Sequence, residues 1–166
     1  MEGDYELFRS HGEDDLTGLY NTRSFRRAVL AEMQTMRDHR HPEVASIIFI
    51  DIDDFRMFNN VHGHLVGDET IRLIAQTARE YVRSGDILCR KGGDEFLLWM
   101  PRVGRDEAME RARLMQRAVA AKSVIGNGEC SVPLSISVGV SQITPEEIGP
   151  DKEVMDNFLS LIGGAN

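Results

Sequence analysis

Two pairs of carboxylates in this chain sit where acids can do chemistry. Asp51 and Asp53 close an apolar run, and Asp94 and Glu95 follow Gly92-Gly93. Carboxylates brought together repel one another and raise each other's pKa values. A bound divalent cation relieves that repulsion. Oxygen ligands suit magnesium, which prefers a few carboxylates plus substrate phosphates to a complete protein cage. Gly92 and Gly93 have no side chains, so their turn can bring backbone close to a ligand or adopt positive φ. Isolated acids on an acidic chain are ordinarily solvated; acids from two separated segments carry meaning only if the fold joins those segments at one place.

The pattern of apolar residues supplies such a fold. A helix is expected over residues 24–40, with Phe25, Val29, Met33 and Met36 on one face and Pro42 marking its end. Residues 44–52, VASIIFIDI, read as a buried strand. Residues 53–67 read as a structured loop or helical turn. A second helix is expected over 69–83, with Ile71, Ile74, Ala75, Ala78 and Val82 inward. Strands at 87–91 and 96–100 flank the Gly-Gly-Asp-Glu turn as a hairpin. A third helix over 106–122 places Ala108, Ala112, Met115 and Val119 at helical spacing. Asn127-Gly128 then turns into a strand over 134–141, and a last helix is expected over 152–162, stopping at Gly163-Gly164. The resulting order, β-α-β-β-α-β, is the split unit of ferredoxin-like α+β folds. In such a sheet the first and third strands are antiparallel neighbours. Asp51 and Asp53 would therefore meet Asp94 and Glu95 at one edge, some forty positions apart in sequence.

Composition narrows the function classes. The chain has 166 residues, one domain's worth, with 42% hydrophobic and 28% charged residues. No apolar run reaches the roughly 20 residues of a membrane helix, and the acidic MEGDYELFRS is unlike a secretory signal. A cytoplasmic domain with no membrane contact of its own is expected, within a parent that can still be anchored. The net charge of −8 argues against a nucleic-acid surface. A triphosphate remains compatible with an acidic protein when cations bridge the two. Cys89 and Cys130 make no disulfide framework, and Cys89 lies in a strand-like run as a buried thiol.

The segments LTGLYN (16–21), DIDDFRMFNN (51–60), GHLVGD (63–68), KGGDEF (91–96) and SISVGV (135–140) resemble, in order and spacing, the GGDEF domains of diguanylate cyclases. The resemblance runs from about Asp14 to Val140 and implies a palm-type nucleotidyl-cyclase fold over residues 14–166, with residues 1–13 as a connector. It implies condensation of two GTP molecules into cyclic di-GMP and two pyrophosphates by a homodimer with two magnesium ions, or manganese in their place. Asp51, the Ile52 carbonyl and Asp94 match the family's metal ligands. Asn59 and Asp68 match the pair that recognises guanine, and Phe55 and His64 match substrate-contacting positions. For His64, a structural part at the start of a helix is the other reading. Arg56 replaces the usual Lys near the phosphates, keeping the charge but changing its geometry to a planar fork. Asp94, with Glu95 as a second acid, would accept the proton of the attacking hydroxyl.

Arg83-Ser84-Gly85-Asp86 matches the RxxD motif of the family's inhibitory product site, with Arg111 or Arg113 as its second arginine. The chain departs from the pattern in residues 154–166, VMDNFLSLIGGAN. If Asp156 matches the family's Asp, Gly163 falls where a phosphate-contacting Lys is expected, and no Arg follows. Weaker GTP affinity or slower reaction is the expectation. The opposing reading is a degenerate domain that binds GTP or cyclic di-GMP without turnover. Another nucleotidyl cyclase or a palm-type polymerase is a third reading, which Asn59 and Asp68 oppose.

Overall fold

The computed structural model describes residues 12–38 and 43–144. The expected last helix and the atypical block 154–166 lie outside the described residues. In chain order the elements are α1 (Thr22–Asp38), β1 (Ala45–Ile52), α2 (Phe55–His62), α3 (His64–Arg79), β2 (Ile87–Gly92), β3 (Glu95–Pro101), α4 (Arg105–Ala120), β4 (Ser123–Ile125), β5 (Ser131–Pro133) and β6 (Ile136–Ile143).

Four strands form one sheet in the order β2-β3-β1-β6, and every neighbouring pair is antiparallel. This is the α+β arrangement the β-α-β-β-α-β pattern predicts, with β1 and β3 at the centre. Both faces of β1 and β3 are covered, which is why their sequences are nearly continuously apolar. On one face Ile48, Ile50, Ile52, Phe96, Leu98 and Met100 pack with α3 and α4. On the other, Ala45, Ile47, Leu97 and Trp99 pack with α1. The residues expected inward on α1, namely Phe25, Val29, Met33 and Met36, are all 4% exposed or less. Ala108, Ala112, Met115 and Val119 of α4 are likewise buried, as their spacing requires.

Three local readings change. Residues 53–67 hold the whole of a helix, α2, and the first turn of another, because Gly63 (φ 85°, ψ 164°) ends one helix and starts the next. Gly67 does not break α3 but sits buried inside it. The helix also ends at Arg79, four residues early, as bonds tighten to the i→i−3 type: Glu80 N–H to Thr77, Tyr81 to Ala78 and Val82 to Arg79. Asn127-Gly128 turns a separate hairpin, β4–β5, rather than leading directly into β6. No helix among the described residues is long and apolar enough to cross a membrane.

Candidate active site at the β1–β3 edge

The antiparallel register places Asp51 opposite Glu95, and the Ile52 N–H donates to the Asp94 carbonyl at 3.1 Å. The last turn of β1 is thereby fixed to the Gly92-Gly93-Asp94 turn. Gly93 has φ 47°, a left-handed conformation that a glycine takes without steric cost. Arg90 holds this turn from beneath: its guanidinium donates twice to the Gly93 carbonyl, at 2.9 and 3.1 Å, and reaches Asp14 Oδ1 at 3.1 Å. Asp14 in turn accepts from the amide and hydroxyl of Thr17, at 2.9 and 2.7 Å. The LTGLYN segment is therefore a strap across the end of β2. It also joins through Arg90 N–H to the Tyr20 carbonyl and through the Thr22 hydroxyl to the Lys91 carbonyl.

The acids do converge. Burial, the adjacent carboxyl of Asp94, and then Glu95 and Asp53 hold the Asp51 carboxyl above the usual carboxylate range. Such mutual repulsion marks a place where a cation is favourable. Glu95 is partly neutralised by Lys91, whose Nζ lies 3.3 Å from its Oε2. Asp53 behaves differently from the other three. Its carboxylate accepts from the hydroxyls of Ser135 and Ser137, the latter at 2.5 Å, and its N–H donates to the Ser135 carbonyl. Asp53 ties the start of α2 to β6, so the cluster free to act consists of Asp51, Asp94 and Glu95. Among the described residues no group of three or more His, Cys, Asp or Glu side chains is arranged to hold an ion by itself. Two carboxylates and a backbone carbonyl fit magnesium, whose remaining positions water and phosphate oxygens fill. A cavity of about 320 Å³ opens beside Asp51, Lys91, Glu95 and Ser137.

The chain leaves β1 through Asp54 (φ 53°, ψ 27°), and α2 starts with no side-chain cap on its N-terminal amides. Free N–H groups at a helix start, next to a left-handed residue, form an anion-binding concavity. Arg56 stands exposed in the first turn of that helix.

One turn further along α2, Asn59 faces α3. Its Oδ1 is buried without a hydrogen-bond partner. The close approach depends on Gly67, where an added Cβ would lie 1.9 Å from Asn59 Oδ1 and 3.3 Å from Phe55 Cζ. Phe55, Asn59 and Gly67 thus share one wall, with Asp68 next along α3. An amide oxygen left unpaired in a buried site is costly, and a ligand donor would satisfy it. His64 is exposed at the first position of α3. The sequence pattern named Asn59 but not Gly67, whose part is set by packing across two helices.

At the opposite end of β2, Asp86 is 4% exposed and pairs with Arg111 at 2.5 Å. It also accepts from Arg83 N–H at 2.8 Å, closing the turn. Arg111 lines the same cavity as Arg83, whereas Arg113 is exposed and does not.

A family profile described as "Diguanylate cyclase, GGDEF domain" matches residues 12–157. The diguanylate cyclase DgcP of Pseudomonas aeruginosa is 33% identical over 162 residues, covering 90% of this chain and 23% of its own length. The chain spans less than half the length of the curated relatives it matches. A sensory box/GGDEF family protein of Caulobacter crescentus CB15, whose crystal structure is known, is 29% identical and superposes with a TM-score of 0.73, over 90% of this chain and 94% of that one. The GGDEF domain of DgcB from the same species, crystallised with c-di-GMP, shares the fold at 24% identity and TM-score 0.72, over 93% of this chain and 92% of that one. The edge where Asp51 meets Asp94 and Glu95, the Asn59–Gly67 wall and the profile match agree: this chain belongs to the GGDEF domain family of diguanylate cyclases.

Proposed function

We propose that the domain condenses two GTP molecules into cyclic di-GMP and two pyrophosphates, acting as a pair of domains that each hold one GTP. The observation that carries this reading is the convergence of Asp51, Asp94 and Glu95 at one edge, with Asp51 held above its ordinary pKa by burial and then by its acidic neighbours. Magnesium or manganese ions held by Asp51, Asp94 and the Ile52 carbonyl would lower the pKa of the attacking hydroxyl and neutralise charge on the leaving pyrophosphate.

The chain's own groups do the rest. Asn59 and Asp68 take the guanine edge, the Asp accepting from N1–H and the exocyclic amine. Phe55 backs the wall behind Asn59, and His64 stands at its rim. The uncapped amides at the start of α2 and the Arg56 guanidinium hold the β- and γ-phosphates and stabilise the charge that develops on phosphorus. Each ribose 3′-hydroxyl attacks the α-phosphorus of the GTP on the other domain. A P–O bond forms, the α–β anhydride breaks, pyrophosphate leaves, and the hydroxyl proton passes to Asp94, with Glu95 as the second acid. Product is expected to bind back at the Arg83–Arg111 cavity and slow synthesis.

Incubation of the domain, fused to a dimerising coiled coil, with GTP and magnesium should yield cyclic di-GMP, read by chromatography. If Asp156 matches the family's Asp, Gly163 stands where a phosphate-contacting Lys is expected, and this favours a second reading, a module that binds GTP or cyclic di-GMP without turnover. Retained GTP binding by calorimetry with no product from the dimerised domain would establish that reading and remove the first.

A further inference from the structure

The cavity of about 280 Å³ bounded by Glu80, Tyr81, Arg83, Glu107, Arg111 and Leu114 lies at the start of β2. The acidic turn is at the strand's other end, roughly 20 Å away for six residues. Two guanidinium groups converge here on one oxygen. Glu107 Oε1 accepts from Arg83 Nη1 and from Arg111 Nη2, the second at 3.0 Å. Arg111 is only 5% exposed, and its Nη1 is held by the buried Asp86. It is a fixed donor. Arg83 and Glu107 are 66% and 46% exposed and can move.

Two arginine donors aimed at one point are the arrangement that binds a phosphate group, and a carboxylate presents the same paired oxygens. We propose that Glu107 is a built-in competitor, a carboxylate occupying the place between Arg83 and Arg111 that a phosphodiester anion must take. Glu80 and Glu110 line the same cavity and add repulsion against an incoming anion. Exposed ion pairs are individually weak, so Glu107 is displaceable and sets the concentration at which the site fills. The identification of the anion as cyclic di-GMP rests on the product-site reading above; the competition itself does not.

The test is calorimetric titration of cyclic di-GMP into the wild-type domain, Glu107→Gln, and the double variant Glu107→Gln/Arg83→Ala. In parallel, inorganic phosphate is titrated while the arginine Nε–H resonances are followed by NMR. Glu107→Gln should bind cyclic di-GMP about tenfold more tightly, losing two weak ion pairs and a like charge. The double variant should lose that gain, and phosphate should shift the Arg111 resonance at lower concentration in Glu107→Gln than in wild type. Equal affinity in wild type and Glu107→Gln, with binding lost in the double variant, would keep the product site and overturn the competitor. A gain that survives in the double variant overturns it as well. If no form binds cyclic di-GMP yet Glu107→Gln takes up phosphate more readily, the competitor stands and the product reading falls. Neither probe separating Glu107→Gln from wild type sinks the proposal.

Discussion

Gly67 carries more of the wall around Asn59, the proposed guanine site, than its lack of a side chain suggests. A methyl group there would collide with Asn59 Oδ1 at 1.9 Å, but the colliding atom is the far end of a side chain that can rotate away. Gly67→Ala should therefore cost little stability, about 1 kcal/mol or less, since the helix gains propensity while Asn59 and Phe55 yield. GTP affinity should fall at least about tenfold, the equivalent of one lost buried hydrogen bond, which calorimetry would register; unchanged affinity would detach Asn59 from guanine. Asp51 makes a different prediction. Its folded-state pKa is raised by burial and by Asp94, Glu95 and Asp53. A raised carboxylate pKa means the metal-free folded state binds more protons than the unfolded chain, so it loses stability as pH climbs. That cost is absent below the unfolded value of about 3.9 and complete above the folded one. In chelator, Asp51→Asn should melt at the same temperature as wild type near pH 4 and higher than wild type at pH 8, while abolishing turnover. Melting curves that coincide at pH 8 would count against a repulsive acid cluster.

At the scale of elements, the strap over residues 14–22 governs the acidic turn. Arg90 reads both sides, Asp14 on the strap and the Gly93 carbonyl on the turn. Burial raises the Asp14 pKa, but the Thr17 hydroxyl and amide and then the Arg90 guanidinium outweigh it, so the net shift is downward. A lowered carboxylate pKa stabilises the fold above the unfolded value, and the benefit is lost as pH falls through the folded one. Asp14→Asn should thus lower the melting temperature at pH 7 by about 2–4 °C, with the gap closing below about pH 4. Arg90→Ala should leave the sheet intact but slow turnover, because the turn that aims Asp94 loses its support. A variant with normal kcat would show that the turn is rigid without it. These elements differ in how far the sequence disclosed them. The faces of α1 and α4 follow from spacing alone, because Phe25–Val29–Met33–Met36 and Ala108–Ala112–Met115–Val119 each make one stripe. The meeting of Asp51 with Glu95 follows from strand order. The α2–α3 corner does not, since Gly63 and Gly67 look alike in sequence, and only one ends a helix. The strap was legible as a motif but not as a clamp, because Arg90 and Asp14 are 76 positions apart. Asp53 was read with the other acids. Only the register of β6 reveals that Ser135 and Ser137 engage it.

For the whole molecule, the proposed reaction needs two sites. If each domain holds one GTP against its Asn59–Gly67 wall, the α-phosphorus under attack comes from a second copy. Below the dimerisation constant, total synthesis should rise as the square of protein concentration, about fourfold per doubling by mass action. A sharper consequence concerns mixed pairs. If Asp94 takes the proton from the hydroxyl of its own domain's GTP, a wild-type domain facing an Asp94→Asn domain retains one working base. One phosphodiester then forms and the second does not. Effective molarity holds the two substrates in place, but it cannot replace the missing proton acceptor in the second step. Pairs enforced by a heterodimeric coiled coil should therefore accumulate the linear dinucleotide pppGpG, with cyclic di-GMP at the trace level of residual homodimers. Cyclic product from enforced mixed pairs at half the wild-type rate would mean that one Asp94 serves both hydroxyls in turn, or that another group accepts the second proton. Asp94 would then lose its assignment as the dedicated base of its own domain's substrate.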